Sequence, residues 1–275
     1  MTEVGIKAGV LDVEQSGSGD PVVFLHPFMT NRLHWRHVVP VLEPQMRCIT
    51  PTLPLGSHRF PMRGDADLSP TGLAEIVVDL LDALGIQKAT LVGNDTGGAI
   101  AQITAANHPD RVSRLVLTSC DAYDVFPPRM FSYLKVVARI PGAAWLLVQS
   151  LRVPGVTQLP IAYGWITSEP IPKDVMTTYI TPARQREIRR DLNKVARSLD
   201  PRYTQEAAEK LKTFDGGTLI AWGGNDRFFP RRLAERLASE IPRAQLEIVE
   251  GARTLVPEDA PGRLAELIAK FVATT

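Results

Sequence analysis

The chain has only two cysteines in 275 residues, Cys48 and Cys120, and both sit in apolar runs. So few exclude a disulfide framework, and no spacing suggests a zinc site. They read as small core residues of a protein in a reducing cytoplasm. An excess of one charge is also missing: 31 Lys and Arg stand against 30 Asp and Glu, a formal net charge of +1. That gives no basis for a nucleic-acid partner or an acidic membrane surface. No apolar run approaches the ~20 residues needed to span a bilayer. The N-terminus lacks a basic segment followed by an apolar one, so no signal peptide is expected. There is no internal repeat, no low-complexity tract, no metal cluster and no dinucleotide fingerprint, so neither metal nor cofactor is expected. Histidine is scarce and one-sided: His26, His34, His37, His58 and His108 all precede residue 110.

What remains is 44% hydrophobic and 22% charged, an ordinary globular composition long enough for a large α/β domain with a lid. Gly5 to Val13 alternates and suggests one or two edge strands. Val22 to Leu25 reads as a buried strand ending at His26-Pro27-Phe28, and Leu33 to Pro40 as a short helix. Arg47 to Pro51 is a further strand. Ser69 followed by Pro70 starts a helix that ends at Gly85. Arg114 to Cys120 is another buried strand. The rhythm breaks from about Asp121 to Ala207, a stretch of short helices rich in Pro, Tyr and Arg, and resumes with strands at Thr218–Trp222 and Ala244–Val249 and helices at Pro230–Ser239 and Pro261–Val272. Alternating strands and helices predict a doubly wound, mostly parallel α/β sheet. The core is assigned to residues 1–121 and 208–275, and an inserted helical lid to 122–207.

The stretch around which these elements are organised is Leu91-Val92-Gly93-Asn94-Asp95-Thr96-Gly97-Gly98-Ala99. A short apolar strand, a Gly-x-Asp-x-Gly turn and a helix make a nucleophile-elbow layout with aspartate in the central position. Its glycines suit a sharp turn without room for a Cβ. The plainer reading makes Asp95 the N-cap of the helix. Functional groups of a parallel sheet collect beyond the strands' carboxyl ends. Four such ends carry candidates: His26-Pro27-Phe28, Asp95-Thr96, Asp121 and Gly223-Gly224-Asn225-Asp226.

This set, in this order, resembles the α/β-hydrolase fold over almost the whole chain. The aspartate elbow resembles its epoxide hydrolase and haloalkane dehalogenase branch. The resemblance implies a nucleophile at Asp95 that forms an alkyl-enzyme ester, and a triad acid at Asp226 in Trp222-Gly223-Gly224-Asn225-Asp226. For Asp226 the alternative is a turn or N-cap aspartate. His26-Pro27-Phe28 is similar to the family's oxyanion loop, which implies backbone N–H donors at Phe28 and Thr96, with His26 anchoring the loop. Leu53-Pro54-Leu55-Gly56-Ser57-His58-Arg59 is similar to the family's Asp-x-Pro-Gly-x-Gly loop. Dehalogenases hold halide with a tryptophan after the nucleophile and often an Asn or Trp in the oxyanion loop. Those positions are Thr96 and Phe28 here, which favours the epoxide hydrolase side. That side needs tyrosine acids, for which Tyr123, Tyr163, Tyr179 and Tyr203 are candidates, each alternatively a packed ring.

The departure lies at the base. The family's histidine position falls at Thr254, in Gly251-Ala252-Arg253-Thr254-Leu255-Val256-Pro257. Three readings follow. A hydrolase of epoxides or esters uses Asp95 as nucleophile or general base, with its helper elsewhere: Asp121, or a histidine such as His58 or His34 reaching across space. Alternatively, Asp95 and Asp226 work as a proton-sharing pair in a non-hydrolytic cyclase, lyase or isomerase. Or the scaffold binds a ligand without turning it over. In the lid, Val136, Val137, Ile140, Trp145, Leu146, Leu147 and Val148 read mainly as residues packing it onto the core, and Arg184, Arg186, Arg189 and Arg190 as a solvated face. The partner expected is a mid-sized, mainly apolar small molecule. Monomer and homodimer both fit.

Overall fold

The structure, a computed structural model, describes residues 2–274. Its strands are β1 (Thr2–Ile6), β2 (Gly9–Ser16), β3 (Pro21–Leu25), β4 (Arg47–Thr52), β5 (Ala89–Asp95), β6 (Val112–Cys120), β7 (Gly217–Gly223) and β8 (Ala244–Val249). Its α-helices are α1 (Val39–Leu42), α2 (Pro70–Ala83), α3 (Thr96–Asn107), α4 (Tyr133–Val137), α5 (Ala143–Ser150), α6 (Lys173–Ile180), α7 (Arg186–Ser198), α8 (Pro201–Leu211), α9 (Arg231–Glu240), α10 (Val256–Asp259) and α11 (Pro261–Thr274). The sheet runs β1-β2-β4-β3-β5-β6-β7-β8. The β1–β2 and β2–β4 pairs are antiparallel and all others parallel. This is the α/β-hydrolase arrangement.

Strand side chains alternate between faces, and the two faces are covered separately. Val23, Leu25, Leu91, Leu115 and Ile220 meet apolar residues of α2, α3, α8 and α9. Val22, Phe24, Val92, Val116 and Leu219 meet α1, α10 and α11. Ser69 caps α2 by accepting from the Gly72 N–H (3.2 Å), ahead of Pro70 at the first turn. The helix expected over Leu33–Pro40 is divided. A 3₁₀ turn covers Arg32–Trp35, and α1 restarts at Val39 because Pro40, lacking an N–H, fits only a helix's first turn.

Between β6 and β7 the chain forms α4 to α8. Val148, Tyr163, Tyr179, Ile188 and Leu192 cluster there with Met29 and Leu255, which fastens these helices over the loops after β3 and β8. The boundary expected at 207 falls inside α8, whose Ala207, Ala208 and Leu211 pack with core residues, including Ile103 of α3. The expectation that residues 136–148 pack the insert onto the core is corrected. Val148 is buried, but Val136, Ile140, Trp145 and Leu146 face outward. Among the described residues no helix is long and apolar enough to cross a membrane.

Candidate active site

β5 delivers Asp95 to the carboxyl edge of the sheet, and the chain turns there into α3. Asp95 adopts φ 51°, ψ −125°, a region costly for a non-glycine residue by about 1–3 kcal/mol. The turn is enforced from both sides. A Cβ on Gly93 would lie 2.4 Å from the Gly97 carbonyl oxygen, and one on Gly97 would lie 2.2 Å from that of Leu25. Asp95 makes no side-chain cap on α3, so the N-cap reading fails. Its carboxyl instead lies close to the backbone N–H groups of Phe28 and Thr96, which favour its charged form.

Half-buried Asp95 opens into a cavity of about 150 Å³. Phe28, Phe131, Leu134, Leu147, Phe228 and Leu255 give this cavity apolar walls. Protein crowds the carboxyl on every other side. Burial therefore raises its pKa from 3.8 to about 7, against the opposing pull of the two N–H groups, and the Asp226 charge adds to the rise. β6 lies beside β5 with Cys120 opposite Asp95, which brings Asp121 to the same wall. Asp121 is 1% exposed. Its Oδ2 accepts from Thr96 Oγ1 (3.4 Å), while Oδ1 is buried without a partner. Burial first, and then the Asp95 charge, hold its pKa well above the ordinary carboxylate range. Burial and mutual repulsion keep the two from ionising together, so the pair holds one proton over the range in which its first member titrates.

Thr254 is 2% exposed and lines the cavity. Its hydroxyl donates to Asp226 Oδ1 (2.9 Å). The same oxygen accepts from the Phe228 and Phe229 N–H groups at 2.8 and 3.0 Å, so Asp226 closes a turn. It is not among the residues lining the cavity. Its Oδ2 is buried and unpartnered, and burial raises its pKa. The Ser119 hydroxyl stands nearby, accepting from the Gly223 N–H (3.0 Å), but it is not in hydrogen-bonding geometry with that oxygen. An Asp95/Asp226 pair sharing one pocket is therefore corrected: the carboxyl that shares the wall with Asp95 is Asp121, and Thr254 screens Asp226.

None of the five histidines lines the cavity. His26 Nε2 accepts from the Leu53 N–H (2.8 Å) and Nδ1 bonds the Pro27 carbonyl (2.9 Å), and burial lowers its pKa to about 4. His34 meets Asn94 Oδ1 (2.9 Å) and His58 meets Asp191 (3.3 Å). His108 sits on Glu75 and His37 is exposed. Asn94 Nδ2 donates to the Thr118 and Thr254 carbonyls, both at 2.8 Å, which ties the Thr254 loop to the elbow.

Of the tyrosines, Tyr163 lines the cavity. Tyr123 bonds Glu240 under Arg236, Tyr203 meets Arg202, and Tyr179 is buried within the insert, all away from the cavity. Tyr133, which sequence reasoning passed over, lines it as well. Nothing local marks Tyr133, whose position depends on how α4 folds back over the sheet edge. Every hydroxyl on the wall already has an acceptor. Tyr133 donates to the Ile161 carbonyl (2.9 Å), Ser150 to that of Leu147 (2.7 Å), Tyr163 to that of Met29 (2.7 Å), Thr96 to Asp121 and Thr254 to Asp226. Beside the Asp95 carboxyl, Asp121 is the other proton carrier on the described wall, and its Oδ1 is buried without a partner.

Comparison with known proteins places this geometry in context. A model of the alpha/beta hydrolase family matches residues 22–267. The 2-hydroxymuconate semialdehyde hydrolase of Pseudomonas sp. (strain CF600) is 27% identical over 277 residues, covering 98% of this chain and 92% of that protein. Among solved structures, the haloalkane dehalogenase DatA from Agrobacterium tumefaciens C58 superposes with a TM-score of 0.81 at 21% identity, over 99% of this chain and 95% of that one. Epoxide hydrolase CorEH superposes with a TM-score of 0.82 at 21% identity, over 99% and 98%.

Proposed function

The chain belongs to the alpha/beta hydrolase family, and within it we propose an epoxide-opening hydrolase in which two carboxyls divide the proton work. Asp95, ionised, draws a proton from water. Asp121, neutral, gives its proton to the ring oxygen. The new bond joins the water oxygen to a ring carbon, the C–O bond of the ring breaks, and the product is a vicinal diol. Asp95 is left with the proton taken from water and Asp121 without its own, which is now in the diol, and one transfer from Asp95 to Asp121 restores the pair. The observation that carries this reading is the unpartnered Oδ1 of Asp121 on a wall whose hydroxyl protons are all in use. A carboxyl with a pKa near 7 suits a general base at neutral pH. The walls favour an apolar substrate, and about 150 Å³ accommodates a ring the size of benzene. No indole or amide side chain lines the cavity to receive a departing halide. The segment from residue 122 to the start of α8 acts as its lid. The buried free thiols of Cys48 and Cys120 suit a reducing cytoplasm.

A second reading rests on the elbow itself. The strained Asp95 and its two N–H donors suit a nucleophile that forms an alkyl ester. With Thr254 where the family places its base, that ester would persist. Styrene oxide supplied in ¹⁸O-water separates the two. Direct hydration puts the label in the diol at the first turnover, and Asp95→Asn or Asp121→Asn lowers the rate by roughly 10²–10⁴-fold. An adduct on Asp95 in the intact mass supports the nucleophile. No diol above the uncatalysed rate from any of a panel of aryl and alkyl epoxides, with no adduct, refutes both.

A further inference from the structure

Nine of the ten large hydrophobic side chains exposed among the described residues lie between residues 130 and 165, Val41 being the exception. Trp145 (47% exposed), Leu146 (62%), Ile161 (54%) and Trp165 (36%) are among them. The same stretch is lopsided in charge. Residues 125–168 contain no Asp or Glu and four basic residues, Arg129, Lys135, Arg139 and Arg152. The three arginines are exposed and form no salt bridge among the described residues, and Arg227 joins them over the Trp165 ring (5.1 Å). The near-zero charge of the whole chain conceals this local excess. The Tyr133 hydroxyl on the Ile161 carbonyl ties the two ends of the stretch together.

We infer that this face docks on an anionic lipid–water interface. Exposed tryptophans and aliphatics rimmed by Arg and Lys match such a surface, where indoles settle at headgroup level and the bases meet lipid phosphates and carboxylates. A second copy fits worse. In a two-fold contact the patch would meet itself, setting arginines against arginines, and residues 125–168 hold no acid to offset them; Asp200, the acid beside Lys135, is already paired with it (3.9 Å). The face is also the outer side of the cavity roof: Ile161 is exposed and lines the cavity. Docking would then turn the roof toward the acyl chains, a route by which an apolar substrate dissolved in the bilayer enters. That last step rests on the proposed function, whereas the docking does not.

Vesicle co-sedimentation tests it without reference to catalysis. Phosphatidylcholine vesicles containing phosphatidylserine should bind the intact chain, and pure phosphatidylcholine vesicles much less. Raising the salt to ~0.5 M should release it, since charges are screened there within a few Å. Arg139→Glu with Arg152→Glu should weaken partitioning by at least about 25-fold, roughly fivefold per arginine. Trp145→Ser with Leu146→Ser should abolish it. All four positions face solvent, so thermal melts should match the parent protein. Equal partitioning onto both vesicle types, or onto neither, overturns the inference. So does a solution dimer that dissociates in the Trp145→Ser/Leu146→Ser variant.

Discussion

Replacing Asp95 by Asn should stabilise the protein, and by more as the pH rises. The carboxyl titrates near 7 when folded, against 3.8 for the free group. A group raised in this way leaves stability intact below the lower value, and stability drains away as the pH climbs to the upper one. At 1.36 kcal/mol per pH unit the full loss is about 4 kcal/mol above pH 7. At pH 5 the unfolded chain has ionised but the folded one has not, and linkage gives a loss of about 2 kcal/mol. The stability gap between Asp95→Asn and the parent should therefore widen by roughly 2–3 kcal/mol between pH 5 and pH 8. Asn tolerates the positive φ that this position demands and keeps an oxygen for the Phe28 and Thr96 N–H groups. The measurement is urea unfolding at both pH values, read by the fluorescence of buried Trp35 and Trp222. Titrating groups away from the site cancel, whereas Asp121, relieved of the Asp95 charge, adds to the gap in the same direction. A gap that does not change with pH, or an Asn variant that is the less stable at pH 8, would refute the claim that burial governs this carboxyl.

The rate of epoxide opening should rise as the pH passes about 7, where Asp95 ionises. It should fall again only at the higher pH where Asp121 gives up its proton, and Asp121→Asn should remove that upper fall together with most of the activity. His26→Ala should cost about 2–4 kcal/mol in denaturant unfolding, because the Leu53 N–H loses its buried acceptor. With a folded pKa of about 4, His26 contributes stability above about 6.5 that disappears as the pH falls through 4, so the penalty of the substitution should shrink in acid. Gly97→Ala should lower stability by more than about 3 kcal/mol or prevent folding, since its Cβ would sit 2.2 Å from the Leu25 carbonyl oxygen. Far-UV circular dichroism and the soluble yield report it.

The elements of the sheet were legible because their signals are local. Ala89–Val92 is apolar and short, Gly93 and Gly97 bracket a turn, and Ser69-Pro70 announces a helix. Thr254, reached by counting along the chain from β8, stands beside Asp226 and on the cavity wall. What escaped was anything decided across space. Asp226 was read as facing Asp95, yet two backbone N–H groups two and three residues further on hold it in a turn. In the sequence Asp121 is a strand end and a candidate helper for Asp95, with no sign of how deeply it is buried. Its burial and its unpartnered Oδ1 follow from the neighbouring β5 and from the roof. The outward side chains at 136–146 follow a helical spacing that suits packing, and spacing does not say which partner is missing.

Asn94 grips three carbonyl oxygens, those of Thr118, Ser119 and Thr254, through one amide nitrogen, while its oxygen meets His34. The backbone at 254 is thus anchored independently of whichever residue occupies that site. Exchanging the side chain there alters the reagent presented to the cavity and leaves its mounting in place. A single codon, rather than a rebuilt loop, separates the chemistry this scaffold now offers from chemistries that begin with a different group at that station.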